Sequence, residues 1–213
     1  MSALLLTAAE ARILAALVEK SITTPQNYPM TVNAIMLAAN QKTSRHPVMG
    51  LVEGEVGAVL NTLEQHKLVA RDDFGGRVPK WRHHFHNQFL LKPPMVAVLA
   101  ALILRGPQTL SELRANAQPL GGPADHDTMA AALGDLADRA QPLITQLPRA
   151  PGQKEQRYAH TLSGEPALPM SAIESAPAAA HVPLATLTAR IEALEARVAE
   201  LERQIAPFDV NGG

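Results

Sequence analysis

Leu68-Val-Ala-Arg-Asp-Asp-Phe-Gly-Gly-Arg-Val-Pro-Lys-Trp-Arg-His-His-Phe85 is the stretch that decides the fold. Leu68–Arg71 reads as one strand and Arg77–Phe85 as its partner, and Gly75-Gly76 supplies the positive backbone angles that a turn between them needs. What precedes this hairpin is helical. Thr7-Ala-Ala-Glu10 is a capping box, in which hydroxyl and carboxylate each take one of the unpaired amides of a helix start. Ile13, Leu14, Leu17 and Val18 follow at helical spacing, so a first helix is expected over about 8–20. Thr24-Pro25 marks a short turn. Thr31 caps a second helix with a stripe of Val32, Ile35, Met36 and Ala39, and Val56, Leu60 and Leu63 mark a third that ends near His66. Three helices followed by a hairpin is the order of a winged helix-turn-helix domain.

The second half repeats that order. Pro93–Leu104 is a helix in which Leu99-Ala-Ala-Leu102 matches Leu14-Ala-Ala-Leu17 at an offset of 85. Thr109-Leu-Ser-Glu112 is a second capping box, opening a short helix through Ala117. Asp127 can cap a third helix whose Met129, Leu133 and Leu136 match Val56, Leu60 and Leu63 at an offset of 73. Strands Leu143–Leu147 and Gln156–Leu162 flank a turn at Arg149-Ala-Pro-Gly152, and Tyr158 stands where Trp81 stands, at an offset of 77. The offset falls by 12 between first and third helices, and Gln41–Val52 is the expected place for the extra residues of the first copy. Gly121-Gly122, like Gly75-Gly76, is a turn pair without the strand-glycine-helix context of a phosphate loop.

Residues 165–183 are rich in Pro and Ala and read as a linker. Leu184, Leu187, Ile191, Leu194, Val198, Leu201 and Ile205 then alternate spacings of three and four. Branched residues dominate the a positions and leucine fills d, the pattern of a parallel two-stranded coiled coil. Arg190 and Arg197 at g would each face Glu195 or Glu202 at e of the partner helix. The expected class is therefore mainly α with small β-hairpin wings. Two tandem winged helix-turn-helix domains (1–90 and 91–164) precede a linker, a coiled-coil helix over 184–206 and a tail over 207–213.

Composition bounds what such a chain does. Cysteine is absent among the 213 residues, which removes disulfides, thiolate metal sites and a cysteine nucleophile, and suits a reducing compartment. No signal peptide is read at the N-terminus, and the longest apolar run, Met95–Leu104, is about half a membrane span. The cytoplasm is the expected location. Net charge is −1, made of nine Lys/Arg against seven Asp/Glu over 1–91, seven against seven over 92–165, and three against six over 166–213. Proteins that hold nucleic acid mainly by electrostatics are usually more basic.

The residues that would meet a phosphate backbone are Arg71, Arg77, Lys80 and Arg82 in the first hairpin, Arg149, Lys154 and Arg157 in the second, and Lys42, Ser44 and Arg45 before the third helix. Against duplex DNA stand the third helices themselves, where Glu53, Glu55, Glu64, Asp135 and Asp138 outweigh the base-reading candidates Asn61, Thr62 and Gln65. His84 and His86 would share one strand face, with His83 next door, but two histidines without a third ligand read as a polar hairpin face rather than a zinc site. His126 between Asp125 and Asp127 reads as capping chemistry, and Ser44 and Ser111 lack a base. No catalytic residue, metal or cofactor is assigned, and an enzyme is not expected.

Glu10-Ala-Arg-Ile-Leu14, Glu19-Lys20, Thr23-Thr24-Pro25, Tyr28-Pro29, Asn33-Ala34, Asn40-Gln41-Lys42, Arg45-His-Pro-Val-Met49, Glu53-Gly-Glu-Val56, Gly76-Arg77, Leu104-Arg105-Gly106, Gln108-Thr109, Glu112-Leu-Arg114, Pro151-Gly152 and Arg157-Tyr158 together resemble the YceH family of bacterial proteins. The resemblance runs from about Leu6 to Gly164 and implies two tandem winged-helix domains, with no activity to carry over. Two functions are expected. The first is a DNA-associated, regulator-like protein acting as a homodimer; the second is a protein-interaction module that uses winged-helix surfaces without nucleic acid. Removing residues 183–213 should convert a dimer into a monomer; an unchanged mass by light scattering would reject the coiled-coil assignment.

Overall fold

The computed structural model describes residues 4–72, 78–149, 152 and 155–166. Its helices are α1 (Ala8–Thr23), α2 (Val32–Ala39), α3 (Glu53–Gln65), α4 (Phe85–Phe89), α5 (Pro93–Arg105), α6 (Leu110–Ala117) and α7 (His126–Ala137). Its strands are β1 (Met30–Thr31), β2 (Val69–Asp72), β3 (Lys80–His83), β4 (Ile144–Leu147) and β5 (Arg157–His160), and short 3-10 turns lie at Pro25–Asn27 and Gln118–Leu120. The protein is mainly helical with small antiparallel sheets. The heptad residues Leu184 to Ile205, the linker from residue 167 on, Arg77 and Lys154 lie outside the described residues. No helix among the described residues is long and apolar enough to cross a membrane.

Two helices organise the rest because their sequences leave them no solvent face. From Met95 to Leu104, α5 is buried at every position, and α1 is buried from Glu10 to Val18. A helix that is apolar all round must be covered on all sides. Each is covered in part by the other, and in part by its own satellites: α2 and α3 on α1, α6 and α7 on α5. Buried residues from Leu6 to Leu162 consequently form one continuous core across both halves. The start of the chain is tied across as well, with Leu6 N–H donating to Leu162 O at 2.7 Å.

The first sheet has the order β1-β3-β2, all antiparallel, with Met30 opposite Trp81 and Arg71 opposite Trp81 on the other side. Strand β1 is only two residues long and has no sequence signature of its own, so it emerges only once β3 is beside it. The second sheet pairs β4 with β5, and Gln108 bridges Tyr158 as Met30 bridges Trp81. The order helix, short strand or bridge, helix, helix, hairpin is thus present twice.

Three expectations need correction. The second strand of the first hairpin stops at His83 rather than Phe85, because Phe85 enters the core and starts α4; His84 is the cap of that helix, and His84 and His86 do not share a strand face. The cap of α7 is Asp125, whose Oδ1 accepts from Thr128 N–H at 2.8 Å, and Asp127 sits inside the first turn. The extra residues of the first copy are also split. The helix caps Thr31 and Thr109 both accept from the amide three residues on, at an offset of 78. Between offsets of 85 and 73, therefore, seven residues fall between first and second helices and five fall in Gln41–Val52. The shorter connection of the second half needs glycine: Gly121 has φ +78°, and a Cβ on Gly122 would lie 2.7 Å from Ala117 Cβ.

Helix α2 is short and its carbonyl end is capped from outside. Arg45 donates to Ala38 O through Nε (3.1 Å) and Nη2 (2.9 Å), and Arg12 Nη1 donates to Ala39 O (3.4 Å). Two cations at a helix C-terminus satisfy its orphan carbonyls and oppose its dipole. Arg12 reaches further, to His46 O (3.2 Å) and Pro47 O (2.9 Å), while Arg45 forms a two-point ion pair with Glu19 at 2.5 and 3.1 Å. Burial raises the Glu19 carboxyl, but the Arg45 hydrogen bonds and charge, with Lys20 beside it, bring it below its usual value. Burial first, and then the Arg45 charge, lower the Arg12 guanidinium. The Arg45 side chain has no exposed surface. Arg45→Met should therefore strand Glu19 and lower unfolding free energy by about 3 kcal/mol, whereas Lys42→Ala should stay within about 0.5 kcal/mol; urea unfolding of the two variants checks the contrast.

Candidate nucleic-acid interface

The segment Gln41–Val52 carries three of the residues expected to meet phosphate, and the structure separates them. Lys42 is exposed, Ser44 is half-buried, and Arg45 is buried against Glu19 with no face left for a ligand. Arg45 is thereby corrected from a phosphate contact to an internal tie. The segment around it is held at both ends and in the middle. Asn40 exchanges two hydrogen bonds with the Leu51 backbone, at 2.8 and 2.9 Å, imitating a strand pair across the loop. His46 N–H donates to Leu104 O at 2.7 Å, and Arg105 Nη2 donates to Ser44 Oγ at 2.8 Å, which fastens the segment to the end of α5.

The hairpin cations are described where they fall outside the turn. On β3, Lys80 and Arg82 point outward on either side of Trp81, which is buried. Arg82 pairs with Asp72 across the hairpin. Arg71 lies over the Trp81 ring at 4.9 Å, 3.7 Å from Glu64 and 3.3 Å from Asn61 Oδ1, so it joins the hairpin to α3. Glu64 also accepts from the Arg71 N–H at 3.2 Å; its carboxylate serves the strand rather than standing free on the helix. In the second half Arg157 pairs with Glu112 at 2.8 Å and donates to Pro107 O at 3.0 Å. The Thr109 N–H, and then Arg157, hold the Glu112 carboxyl below its usual range. Lys42, Lys80 and Arg149 are exposed and form no ion pair among the described residues.

The outward surface of α3 is built from Glu53, Gly54, Glu55, Ala58, Asn61 and Gln65. A Cβ at Gly54 or Gly57 would meet nothing within 4 Å, so this face is smooth and open. It offers a duplex few side-chain donors, the amides of Asn61 and Gln65, and its acceptors are turned inward: Asn61 Oδ1 accepts from Arg71 at 3.3 Å and Glu55 accepts from the Val52 N–H at 2.9 Å. On α7 the exposed positions include Asp127, Ala130, Ala131, Gly134 and Asp135. Neither third helix presents the Arg, Lys, Asn or Gln array that reads base edges.

A feature not anticipated from the sequence is a pair of half-buried histidines with enclosed Nδ1 atoms. His83 and His160 stand two residues after Trp81 and Tyr158, at the same offset of 77, and each has an Nδ1 with no partner. That shared spacing is the signal that would have revealed them. Burial lowers both to about 4, with the charges of His86 and His84 adding to the effect on His83. His83 Nε2 lies 3.2 Å from Ser21 Oγ, and His83 N–H donates to the Tyr28 hydroxyl at 2.6 Å. Ser21 Oγ donates to Val18 O at 2.8 Å, and no acid among the described residues orients the imidazole, so these residues do not form the geometry of an activated nucleophile.

With this geometry in place, the chain matches over residues 6–153 the family described as "Protein of unknown function, DUF480". It is 42% identical over 198 residues to a UPF0502 protein of Geobacter sulfurreducens, covering 93% of this chain and 90% of that one. It is 44% identical over 205 residues to a UPF0502 protein of Mesorhizobium japonicum, covering 96% and 95%. A UPF0502 protein of Geotalea uraniireducens shares 48% over 160 residues, 75% of this chain and 73% of that one. The chain belongs to the DUF480 family.

The histidines predict the pH response. Their ordinary value is 6.5 and their folded value about 4, so the folded state prefers them neutral. Stability is complete above about pH 6.5 and declines as pH falls toward 4, by roughly 1–2 kcal/mol per histidine at pH 5. Urea unfolding of His83→Gln/His160→Gln at pH 7 and pH 5 should show a flatter pH dependence than the parent; an equal slope would place the acid sensitivity elsewhere.

Proposed function

We propose that the protein is a non-enzymatic protein-interaction module made of two winged helix-turn-helix units in tandem, the architecture that its resemblance to the YceH family also implies. The doubled element order supports the fold reading, since in each half a short strand or bridge before the second helix joins the hairpin. One observation carries the functional reading. Four of the five described arginines expected to touch phosphate are already engaged from within, Arg45 by Glu19, Arg82 by Asp72 and Arg157 by Glu112, while Arg71 lies beside Glu64; Arg149 alone among them forms no ion pair with a described residue. A phosphate backbone would have to displace those carboxylates to gain its counterion-release energy. The smooth, acidic outward face of α3 points the same way.

The heptad helix would make the module a homodimer. A relative that matches 93% of the chain must match past the linker into that segment, so the tail is not peculiar to this sequence. Duplex DNA is the second reading, and it rests on Lys42, Lys80 and Arg149, which are exposed and unpaired among the described residues. Affinity purification of the full chain from its native cell should return a stoichiometric protein partner, and duplex DNA should not be retained at low salt. Retention that falls steeply with salt, without a protein partner, would reverse the two readings.

A further inference from the structure

A groove of about 520 Å³ lies between the C-terminal end of α1, strand β1 and the exposed face of α2. Its composition is uneven. Lys20 and Lys80 both line it, and none of its lining residues is acidic. Glu19, next to Lys20, is shared between Arg45 at 2.5 Å and Lys20 at 3.5 Å, and Asp72, across the hairpin from Lys80, pairs with Arg82. Counting Lys20, Lys80, Arg45 and Arg82 against Glu19 and Asp72 leaves two positive charges, in a protein whose overall net charge is −1. The remainder of the wall is apolar or neutral. Met30 and Ala38 are buried, Ala34 is half-buried, and Leu37 stands 62% exposed beside them. A leucine left that open on a helix only eight residues long contributes nothing to its own core.

We propose that this groove docks an acidic peptide segment of a partner protein, with an apolar side chain of the peptide seated on Leu37 and Ala34 and its carboxylates on Lys20 and Lys80. The occupant follows from charge complementarity and from the mixed wall. A phosphate backbone would use the lysines and leave the leucine wet, whereas an acidic segment with one apolar anchor uses both. Gln26 and Asn27 on the same wall are exposed and offer the amide groups that an extended backbone pairs with. This inference rests on the interaction-module reading and names the surface that would carry it.

The test titrates the full chain with a short fluorescent peptide in which glutamate pairs alternate with single leucines, and with the same peptide carrying glutamine for glutamate. Anisotropy should report binding of the acidic peptide that strengthens as salt is lowered. Lys20→Gln/Lys80→Gln and, separately, Leu37→Ser should each weaken it about tenfold, with circular dichroism unchanged because these side chains lie outside the core. No binding to the parent chain overturns the groove inference, as does equal binding by the variants or by the glutamine peptide. Capture of labelled duplex DNA through the same lysines would overturn it too. A protein partner recovered equally by the parent and by the Lys20→Gln/Leu37→Ser/Lys80→Gln variant would defeat the groove while leaving the interaction module intact. Recovery of no partner by either would instead defeat the module.

Discussion

Two guanidinium groups at the carbonyl end of α2 hold the first half of this protein together. A helix of eight residues leaves half of its carbonyls without an internal partner, and in a buried position those groups must be satisfied. Arg45 and Arg12 do this at Ala38 and Ala39, and the same two side chains fix the segment that follows, through Ser44, His46 and Pro47. Burying two like charges side by side is costly. Glu19, held down as a carboxylate by Arg45, offsets that cost, and the backbone carbonyls around Arg12 do the rest. Because His46 and Ser44 also reach Leu104 and Arg105, the ion pair fixes the contact between the halves as well as the loop.

The second half solves the same problem differently. There the second helix passes through a 3-10 turn into Gly121-Gly122, and Gln108 takes the role of the buried polar organiser. Its amide donates to Ala101 O and Gly106 O and accepts from Asn116. A neutral amide needs no counterion, so no long connecting segment is required to bring one. The longer connections of the first copy and its buried charges therefore belong together: the additional chain supplies the arginine and the backbone groups that a buried ionic cluster demands.

Much of the polar text of the chain is engaged within it for this reason. Glu10, Glu19, Asn40, Arg45, Gln108 and Glu112 all face groups of the same chain: capping amides, carbonyls or each other. Polar residues at such positions keep the fold's donors and acceptors paired. Among the described residues, surfaces open to a partner include the groove beside α2, with its lysines and its open leucine, and the smooth faces of α3 and α7. Neither carries the conspicuous sequence pattern that the capping boxes do.

The sequence by itself determined six of the seven described helices, the two hairpins and the order in which they recur; the start of α4 reads as strand. Those features rest on local rules: capping boxes, helical spacing of apolar residues, and turn glycines act over a few positions and are visible in one dimension. It also carried the heptad pattern, which is a property of spacing alone. Strand β1 was not legible, because two residues become a strand only when β3 lies beside them. Nor was the fate of the cations. An arginine in a polar loop reads the same whether it faces solvent or a carboxylate 26 residues away, and only the packing of α1 against α2 placed Glu19 over Arg45. The half-buried histidines and the groove belong to the same class. Each is a meeting of distant segments, and the tertiary structure alone decided which polar groups were enclosed and paired and which were left at the surface.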